Sequence, residues 1–187
     1  MGKGKNIYAL LAGLLEHPGD DIKIKAEQCI NALADYPQYP PEIAEELKKF
    51  QKDVEHIPLD DVKGVYSYTF ELSSDFTLDM GYHVYDGFRR SNSLAAIKGM
   101  YLDKGFPLEE VSRGELPDHL PIVLRFMSFT DDEELLKNFR ETFLIKALEK
   151  LQKSFERNKK NLYWHVINAV YRIIDKDVKG GEKWTRS

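Results

Sequence analysis

The sequence predicts an all-α fold, a single-domain helical bundle of roughly eight helices. Apolar residues recur at intervals of three and four along most of the 187 residues, which is the period of an amphipathic helix. Proline and glycine fall between these periodic segments, where helices end. Apolar residues make up 42% of the chain and charged residues 31%, a composition typical of a globular domain with its own core.

Eight segments carry the helical pattern. They are 7–15, 22–33, 41–57, 75–85, 94–101, 120–129, 131–155 and 162–174. Pro18 with Gly19 ends the first and Pro58 ends the third. Apolar side chains cover a wide arc of the segment 120–129, so this helix should be largely buried.

Local signals predict where the weaker elements begin. Ser74 or Asp75 is expected to cap the helix 75–85, and Thr130 with Glu133 forms a capping-box pattern for the helix that follows. The stretch 86–93, "DGFRRSNS", is predicted to be a turn with a basic patch, and "PLEEVSRGELP" a polar loop.

One segment has the period of a strand. In 65–72, Tyr66, Tyr68, Phe70 and Leu72 alternate with polar residues. No second alternating run exists to pair with it, and a lone strand leaves its backbone groups unsatisfied. We therefore expect a helix or an extended segment that is packed by its aromatic side chains.

We expect one domain over 1–178, with halves 1–105 and 118–178 joined by the loop 106–117, and a flexible tail over 179–187. The stretch "GKGK" at 2–5 lacks the spacing of a P-loop and is expected to be a disordered terminus. The loop 106–117 is long enough to act as a hinge, so either a monomer or a dimer that exchanges its halves is expected.

Charge and cysteine content exclude several classes of protein. The net charge of −4 argues against nucleic-acid binding and is compatible with a basic peptide partner. The one cysteine, Cys29, lies on an apolar helix face and is expected to behave as a small hydrophobic residue in a reducing compartment. No run is long enough to span a bilayer, and the N-terminus lacks a cleavage-site pattern. We expect a cytoplasmic protein.

The sequence contains neither a Gly-x-Ser-x-Gly nor a His-Glu-x-x-His motif. Asp79, His83, Asp118 and His119 could form a metal site, which makes an all-α metal-dependent hydrolase one alternative. Asp118 has a structural explanation, since it can be the N-cap of the helix 120–129, with Pro121 in the first turn. That explanation leaves Glu115 and His119 projecting from a break in the fold.

The stretch "ELPDHLPIVLRF" at 115–126 resembles the "ELPDxLPxxLEF" motif of the NarJ-type chaperones, the delta subunits of respiratory nitrate reductase. It also resembles the "E-P-x-D-H" motif of the related TorD/DmsD-type chaperones. The block 68–106 is similar to the central pattern of that family, and "LLAGLLEHPGDD" is similar to its opening "LLxYPDE". The resemblance covers most of the chain up to about residue 129.

The resemblance implies an all-helical, TorD/NarJ-like cytoplasmic chaperone with no catalysis and no bound metal or cofactor. Such a protein binds the N-terminal, often twin-arginine, peptide of a molybdenum oxidoreductase's catalytic subunit and assists cofactor insertion and assembly. Residues that match the family's peptide-recognition motifs are Tyr82, His83, Glu115, Pro117, Asp118 and His119. A helical adaptor for some other protein is a further alternative.

Two residues depart from the family pattern. Arg125 stands where the family usually has glutamate, and Ser91 replaces a glycine. A leader that is basic and then apolar needs an apolar groove with acidic groups at its rim. Glu115 and Asp118 are expected to supply the rim, and exposed aromatic residues such as Tyr66, Tyr68 or Tyr82 part of the groove.

Overall fold

A computed structural model describes residues 3–181, and the side chains of residues 7–180. Within these residues the backbone forms eleven α-helical segments and no β-strand, so the all-α prediction is confirmed. The segments are α1 (Lys3–Leu15), α2 (Ile22–Leu33), α3 (Pro41–His56), α4 (Leu59–Tyr66), α5 (Met80–Val84), α6 (Gly87–Asp103), α7 (Leu108–Ser112), α8 (Leu120–Phe129), α9 (Glu133–Phe139), α10 (Ile145–Phe155) and α11 (Trp164–Gly181). No helix among them has both the length and the hydropathy needed to cross a bilayer.

Helices from both ends of the chain share one hydrophobic core. α1 packs against α8 and α2, α3 packs against α2 and α11, and α10 packs against α11 and α5. The wide apolar arc of α8 is buried as predicted over residues 120–127 apart from Arg125, whereas Phe129 at its end is 46% exposed. Because α1 lies on α8, the segments before and after the loop 106–117 are held together by core packing.

The segment with a strand-like period is helical. α4 continues into a π-helical turn over Ser67–Glu71. Tyr66 and Phe70, four residues apart, are buried with ring centroids 5.1 Å apart, whereas Tyr68 and Leu72 are 70% and 78% exposed. The alternation of large side chains therefore places one pair inside and the other pair in solvent.

The region 74–93 differs from the prediction. A 3₁₀ turn covers Ser74–Phe76, and α5 begins only at Met80, so neither Ser74 nor Asp75 caps it. Residues 86–93 do not form a turn, because α6 begins at Gly87 and includes the basic residues. The cause is a contact with residue 119, described below, that keeps residue 79 extended between the 3₁₀ turn and α5.

Other boundaries also shift. The N-cap of α9 is Asp132, two residues after Thr130, and its carboxylate accepts a hydrogen bond from the Leu135 N–H at 2.9 Å. The loop 106–117 contains the short helix α7, and α11 extends three residues into the predicted tail. Residues 3–5 belong to α1 rather than to a disordered terminus, while Gly2 and 182–187 lie outside the described residues.

A partly buried carboxylate connects three parts of the bundle. The hydroxyl groups of Tyr8 in α1 and Tyr39, just before α3, both donate hydrogen bonds to Asp177 in α11. Burial raises the pKa of Asp177, while the two hydroxyl donors and the Arg140 guanidinium oppose that rise. This network fixes the positions of α1 and α3 against α11 near its C-terminal end.

Removing one donor should weaken the bundle. We expect Tyr39→Phe to lower the free energy of unfolding by about 1–3 kcal/mol, because the partly buried carboxylate loses a hydrogen bond of 2.9 Å. Urea denaturation followed by circular dichroism measures the change. Tyr68→Phe is the control, since Tyr68 is 70% exposed. Equal stability of the two variants would contradict the role given to this network.

Candidate functional site

The candidate site lies where two distant parts of the chain meet. Asp79 and His119 form an isolated antiparallel β-bridge. The Met80 N–H donates to the Asp118 carbonyl oxygen at 3.0 Å, and the Leu120 N–H donates to the Leu78 carbonyl oxygen at 2.8 Å. These two hydrogen bonds hold the start of α5 beside the start of α8, and we call this arrangement the joint.

Asp118 is sealed inside the joint. Its side chain is fully buried, and Oδ2 accepts a hydrogen bond from the Gly81 N–H at 2.7 Å. It therefore caps the first turn of α5, and the prediction that it caps α8 is wrong, because His119 occupies that N-cap position. The reason is the bridge, which turns the Asp118 side chain toward α5.

Burial of Asp118 disfavours its charged form. Desolvation raises the pKa of this carboxyl, and the nearby Asp79 adds to the rise, while the Gly81 N–H and Arg90 oppose it. The second oxygen, Oδ1, is buried without a hydrogen-bond partner among the described residues. A buried acid of this kind cannot contact a ligand's positive charge. Asp118 therefore positions the joint and does not form the acidic rim of a groove, as the sequence had suggested.

Gly81 makes the close approach of Asp118 possible. A Cβ atom at this position would lie only 2.6 Å from Asp118 Oδ2. Tyr101 adds a second constraint, because its hydroxyl group donates to the Pro117 carbonyl oxygen at 2.8 Å. The backbone of 117–119 is thus held from α5 on one side and from α6 on the other.

A charged network lies at the surface of the joint. His119 Nδ1 is 3.0 Å from Asp79 Oδ1 and 3.9 Å from Glu115 Oε2. Arg90 Nη2 is 3.7 Å from Asp79 Oδ2, and its guanidinium group lies over the Tyr82 ring, 5.5 Å from the centroid. Asp79 therefore holds a histidine on one side and an arginine on the other, which fixes the orientation of both.

Beside the joint is a crevice of about 150 Å³, which we call the first crevice. Val111, Pro121 and Ile122 contribute apolar surface, and the carboxylates of Glu71 and Glu115 lie in its lining. Glu115 is 59% exposed at its side chain and Glu71 is exposed. Apolar surface next to two accessible acids suits a ligand that is both basic and apolar.

Arg125 does not leave a free positive charge in this crevice. Its Nε and Nη2 atoms donate to Glu16 Oε1 at 2.8 and 2.6 Å. Both residues line the first crevice, and the pair is about one-third exposed. The charge of Arg125 is thus compensated by a carboxylate that directly follows α1.

A second crevice of about 360 Å³ lies on the other side of Asp79. Leu72, Tyr82 and Arg90 line it, and Glu71 belongs to both crevices. Tyr82 is 43% exposed, as expected for a groove residue, whereas Tyr66 is buried and reaches the first crevice only as part of its wall. The two crevices together make a surface along 71–82 and 111–122.

The predicted peptide-binding residues divide into two groups. Tyr82, Glu115 and His119 line a crevice, whereas Asp118 is buried and the Pro117 carbonyl is used by Tyr101. His83 is also engaged internally, because its Nε2 lies 2.8 Å from the Thr77 carbonyl oxygen, and burial lowers its pKa. His83 lines neither crevice. Its contact with Thr77 supports the backbone of 77–80 instead.

The metal site predicted as an alternative does not assemble from its four residues. His83 Nε2 contacts the Thr77 carbonyl and Asp118 Oδ2 the Gly81 N–H, and neither residue belongs to the group whose possible ligand atoms lie close together. Among the described residues, Asp79, Glu115 and His119 each have a possible ligand atom, and these three atoms lie within 4.8 Å of one another. Arg90 beside Asp79 disfavours a cation at this place.

Sequence reasoning missed several residues of the site. Glu71 and Val111 reach the first crevice from α4's π-helical extension and from α7, and no local pattern indicates this proximity. Arg90 was assigned to a turn, so its contact with Asp79 was not expected. The glycine before the "YH" pair was the one available signal for the tight approach at Gly81.

Comparison with known proteins identifies related chains. A sequence profile of the nitrate reductase delta subunit family matches residues 36–165. Two relatives from Escherichia coli, strains K12 and O157:H7, are each named "Nitrate reductase molybdenum cofactor assembly chaperone NarJ". Each is 27% identical over 140 residues, which is 74% of this chain and 58% of the relative. The chain thus aligns with little more than half the length of these relatives.

A methyl group at residue 81 should disrupt the joint. We expect Gly81→Ala to lower the free energy of unfolding by about 1–3 kcal/mol, because the added Cβ forces Asp118 away from the Gly81 N–H. Gly64→Ala in α4 is the matched control, since a Cβ there meets nothing within 4 Å. That control should be neutral or stabilising by up to about 1 kcal/mol. Similar effects of both variants would contradict the tight approach.

The buried carboxyl should make stability depend on pH. Since the pKa of Asp118 is raised in the folded state, its stabilisation is complete below about pH 4 and is lost as the pH rises through the folded pKa. Asp118→Asn keeps an oxygen for the Gly81 N–H but cannot ionise. We therefore expect the free energy of unfolding of Asp118→Asn to gain on that of the wild type as the pH rises from about 4 to 7.

Denaturant titrations across that pH range provide the measurement. Asp20→Asn, which alters an exposed carboxyl, is the control and should follow the wild type. A constant difference between Asp118→Asn and the wild type would show that the burial of Asp118 does not set its ionisation.

Proposed function

The chain belongs to the nitrate reductase delta subunit family, and on that premise we propose that it is a cytoplasmic assembly chaperone and not an enzyme. In this proposal it binds the N-terminal, twin-arginine-like peptide of a molybdenum oxidoreductase's catalytic subunit and assists cofactor insertion and assembly. The name of the relatives, a molybdenum cofactor assembly chaperone of nitrate reductase, supports the class of client.

The first crevice is the observation that carries the proposal. Glu71 makes no ion pair among the described residues, and Glu115 reaches only His119, at 3.9 Å. Arg113 is exposed in the same lining and offsets part of this charge, but the three acids Glu16, Glu71 and Glu115 outnumber Arg113 and Arg125, so the crevice still favours a basic segment. Val111 is half-buried in the same lining and would contact the hydrophobic side chains that follow in a leader.

The second crevice extends the proposed path. Leu72 and Tyr82 are 78% and 43% exposed there, so the second crevice adds accessible apolar surface to the first. Glu71 joins the two crevices, so one extended or helical segment can contact both. In this arrangement the Asp79–His119 pair forms the ridge between them and Asp118 holds that ridge in place.

Two alternatives receive less support. A hydrolase that uses Asp79, His83, Asp118 and His119 would need four ligands close together, but among the described residues His83 and Asp118 do not join the group formed by Asp79, Glu115 and His119. An adaptor for an unrelated protein is compatible with the crevices, yet the names of the relatives favour a molybdoenzyme client.

Binding of a leader peptide tests the proposal. The probe is a fluorescently labelled synthetic peptide that reproduces the N-terminus of the molybdoenzyme catalytic subunit from the same organism. We expect Glu71→Lys with Glu115→Lys to raise the dissociation constant by about tenfold or more, because both accessible acids are reversed. Fluorescence polarisation at low ionic strength measures the affinity.

Glu110→Lys is the matched control, because Glu110 is exposed on α7 but does not line either crevice. It should bind the peptide as the wild type does. If the double variant remains folded and binds equally tightly, the assignment of the first crevice is wrong. If no leader peptide binds the wild-type chain, the proposed client class is wrong.

A further inference from the structure

α6 has an outer face that the bundle does not cover. Only Ile97 and Tyr101 are buried in this helix of 17 residues. The inner face, in steps of four and three, consists of Arg90, Leu94, Ile97 and Tyr101. The outer face repeats the same spacing two residues away, with Phe88, Asn92, Ala95, Gly99 and Leu102. A helix with this pattern presents two opposed stripes, of which the fold uses one.

The large residues of the outer face are unusually accessible. Phe88 is 90% exposed and Leu102 is 63% exposed. They lie 14 residues apart, close to the two ends of α6, with small side chains between them. A Cβ at Gly99 would meet nothing within 4 Å, so the bundle itself does not require glycine there. The glycine costs helix stability of about 1 kcal/mol relative to alanine.

Both ends of α6 carry charges that oppose its dipole. Arg89 lies in the first turn, near the positive end of the helix, and Asp103 is the last residue, at the negative end. Both are exposed, and neither makes an ion pair with another residue in the part of the chain that the structure describes. Lys104, by contrast, is held by Asp132 at 2.6 Å.

We propose that the outer face of α6 is the interface of a homodimer, in which the α6 helices of two copies pack antiparallel about a two-fold axis near residue 96. The arrangement places Phe88 of each copy beside Leu102 of the other and lets the backbones approach at Ala95 and Gly99. In an antiparallel pair, side chains on the same flank face each other. Arg89 and Asp103 lie on one flank, at equal distances from residue 96.

Charge complementarity favours a second copy as the occupant. The antiparallel pairing brings Arg89 of each copy next to Asp103 of the other copy, at the negative end of the other α6 helix. The unfavourable charges at both ends of each helix are thus compensated, and the symmetry makes this contact twice. A single helix pair buries a small area, below about 1,200 Å², which corresponds to weak and reversible association. The proposed leader surface lies along 71–82 and 111–122 and is not part of this interface.

Sedimentation velocity of the full chain from about 5 to about 500 µM tests the dimer. We expect the wild type to shift with concentration from the mass of one chain, 21.7 kDa, toward twice that mass. Ala95→Arg places a long cation at the centre of the exposed face and should abolish the shift. Ala34→Arg, at the exposed end of α2, is the control and should dimerise normally.

A charge exchange tests the orientation. Arg89→Glu alone and Asp103→Arg alone should each raise the dissociation constant by about tenfold, because like charges then face each other twice. The double variant restores opposite charges and should dimerise nearly as well as the wild type. A wild type that stays monomeric throughout the concentration range overturns the proposal. A dimer that is insensitive to Ala95→Arg, as expected for one that exchanges its halves, also overturns it.

Discussion

The short backbone pairing between Asp79 and His119 organises the functional part of this molecule. Two hydrogen bonds there join segments 40 residues apart and determine where α5 and α8 begin. The Asp118 carboxylate completes the link through the Gly81 N–H, at a distance that only glycine permits. His119, Glu115 and Tyr82 are positioned by this contact, whereas Glu71 and Val111 reach the candidate surface from other segments.

Residues 115–119, which the sequence predicts to bind a peptide together, divide into residues that maintain the fold and residues that are accessible to a ligand. Asp118 and Pro117 maintain the geometry from inside, while Glu115 and His119 face the crevice. Asp118 is buried where its side chain accepts a hydrogen bond from the Gly81 N–H, whereas the Glu115 carboxylate reaches only His119, at 3.9 Å, and stays accessible. If a variant of Asp118 lost peptide binding, the first explanation would therefore be a distorted joint and not the loss of a direct contact with the peptide.

The spacing of apolar residues was sufficient to predict the helices that bury one regular stripe or arc of side chains. The stripe Ile43, Leu47, Phe50 and Val54 predicted α3 nearly to the residue, and the wide apolar arc predicted the burial of α8. Local patterns failed over 74–93, where the bridge to residue 119 overrides the capping signals at Ser74 and Asp75. The first crevice combines Glu16, Glu71 and Glu115, which no local pattern associates. The periodicity of apolar residues predicts which face of one helix is buried. Which faces of different helices lie next to each other depends on tertiary packing.

The ion pair between Arg125 and Glu16 has an evolutionary consequence. In a relative that carries glutamate at the position of Arg125, a glutamate at the position of Glu16 would place two carboxylates in contact at the edge of the crevice. The two positions, one in α8 and one directly after α1, should therefore change together along the family tree. A replacement at one of them can be interpreted only when its counterpart is known, because the local charge is a property of the pair.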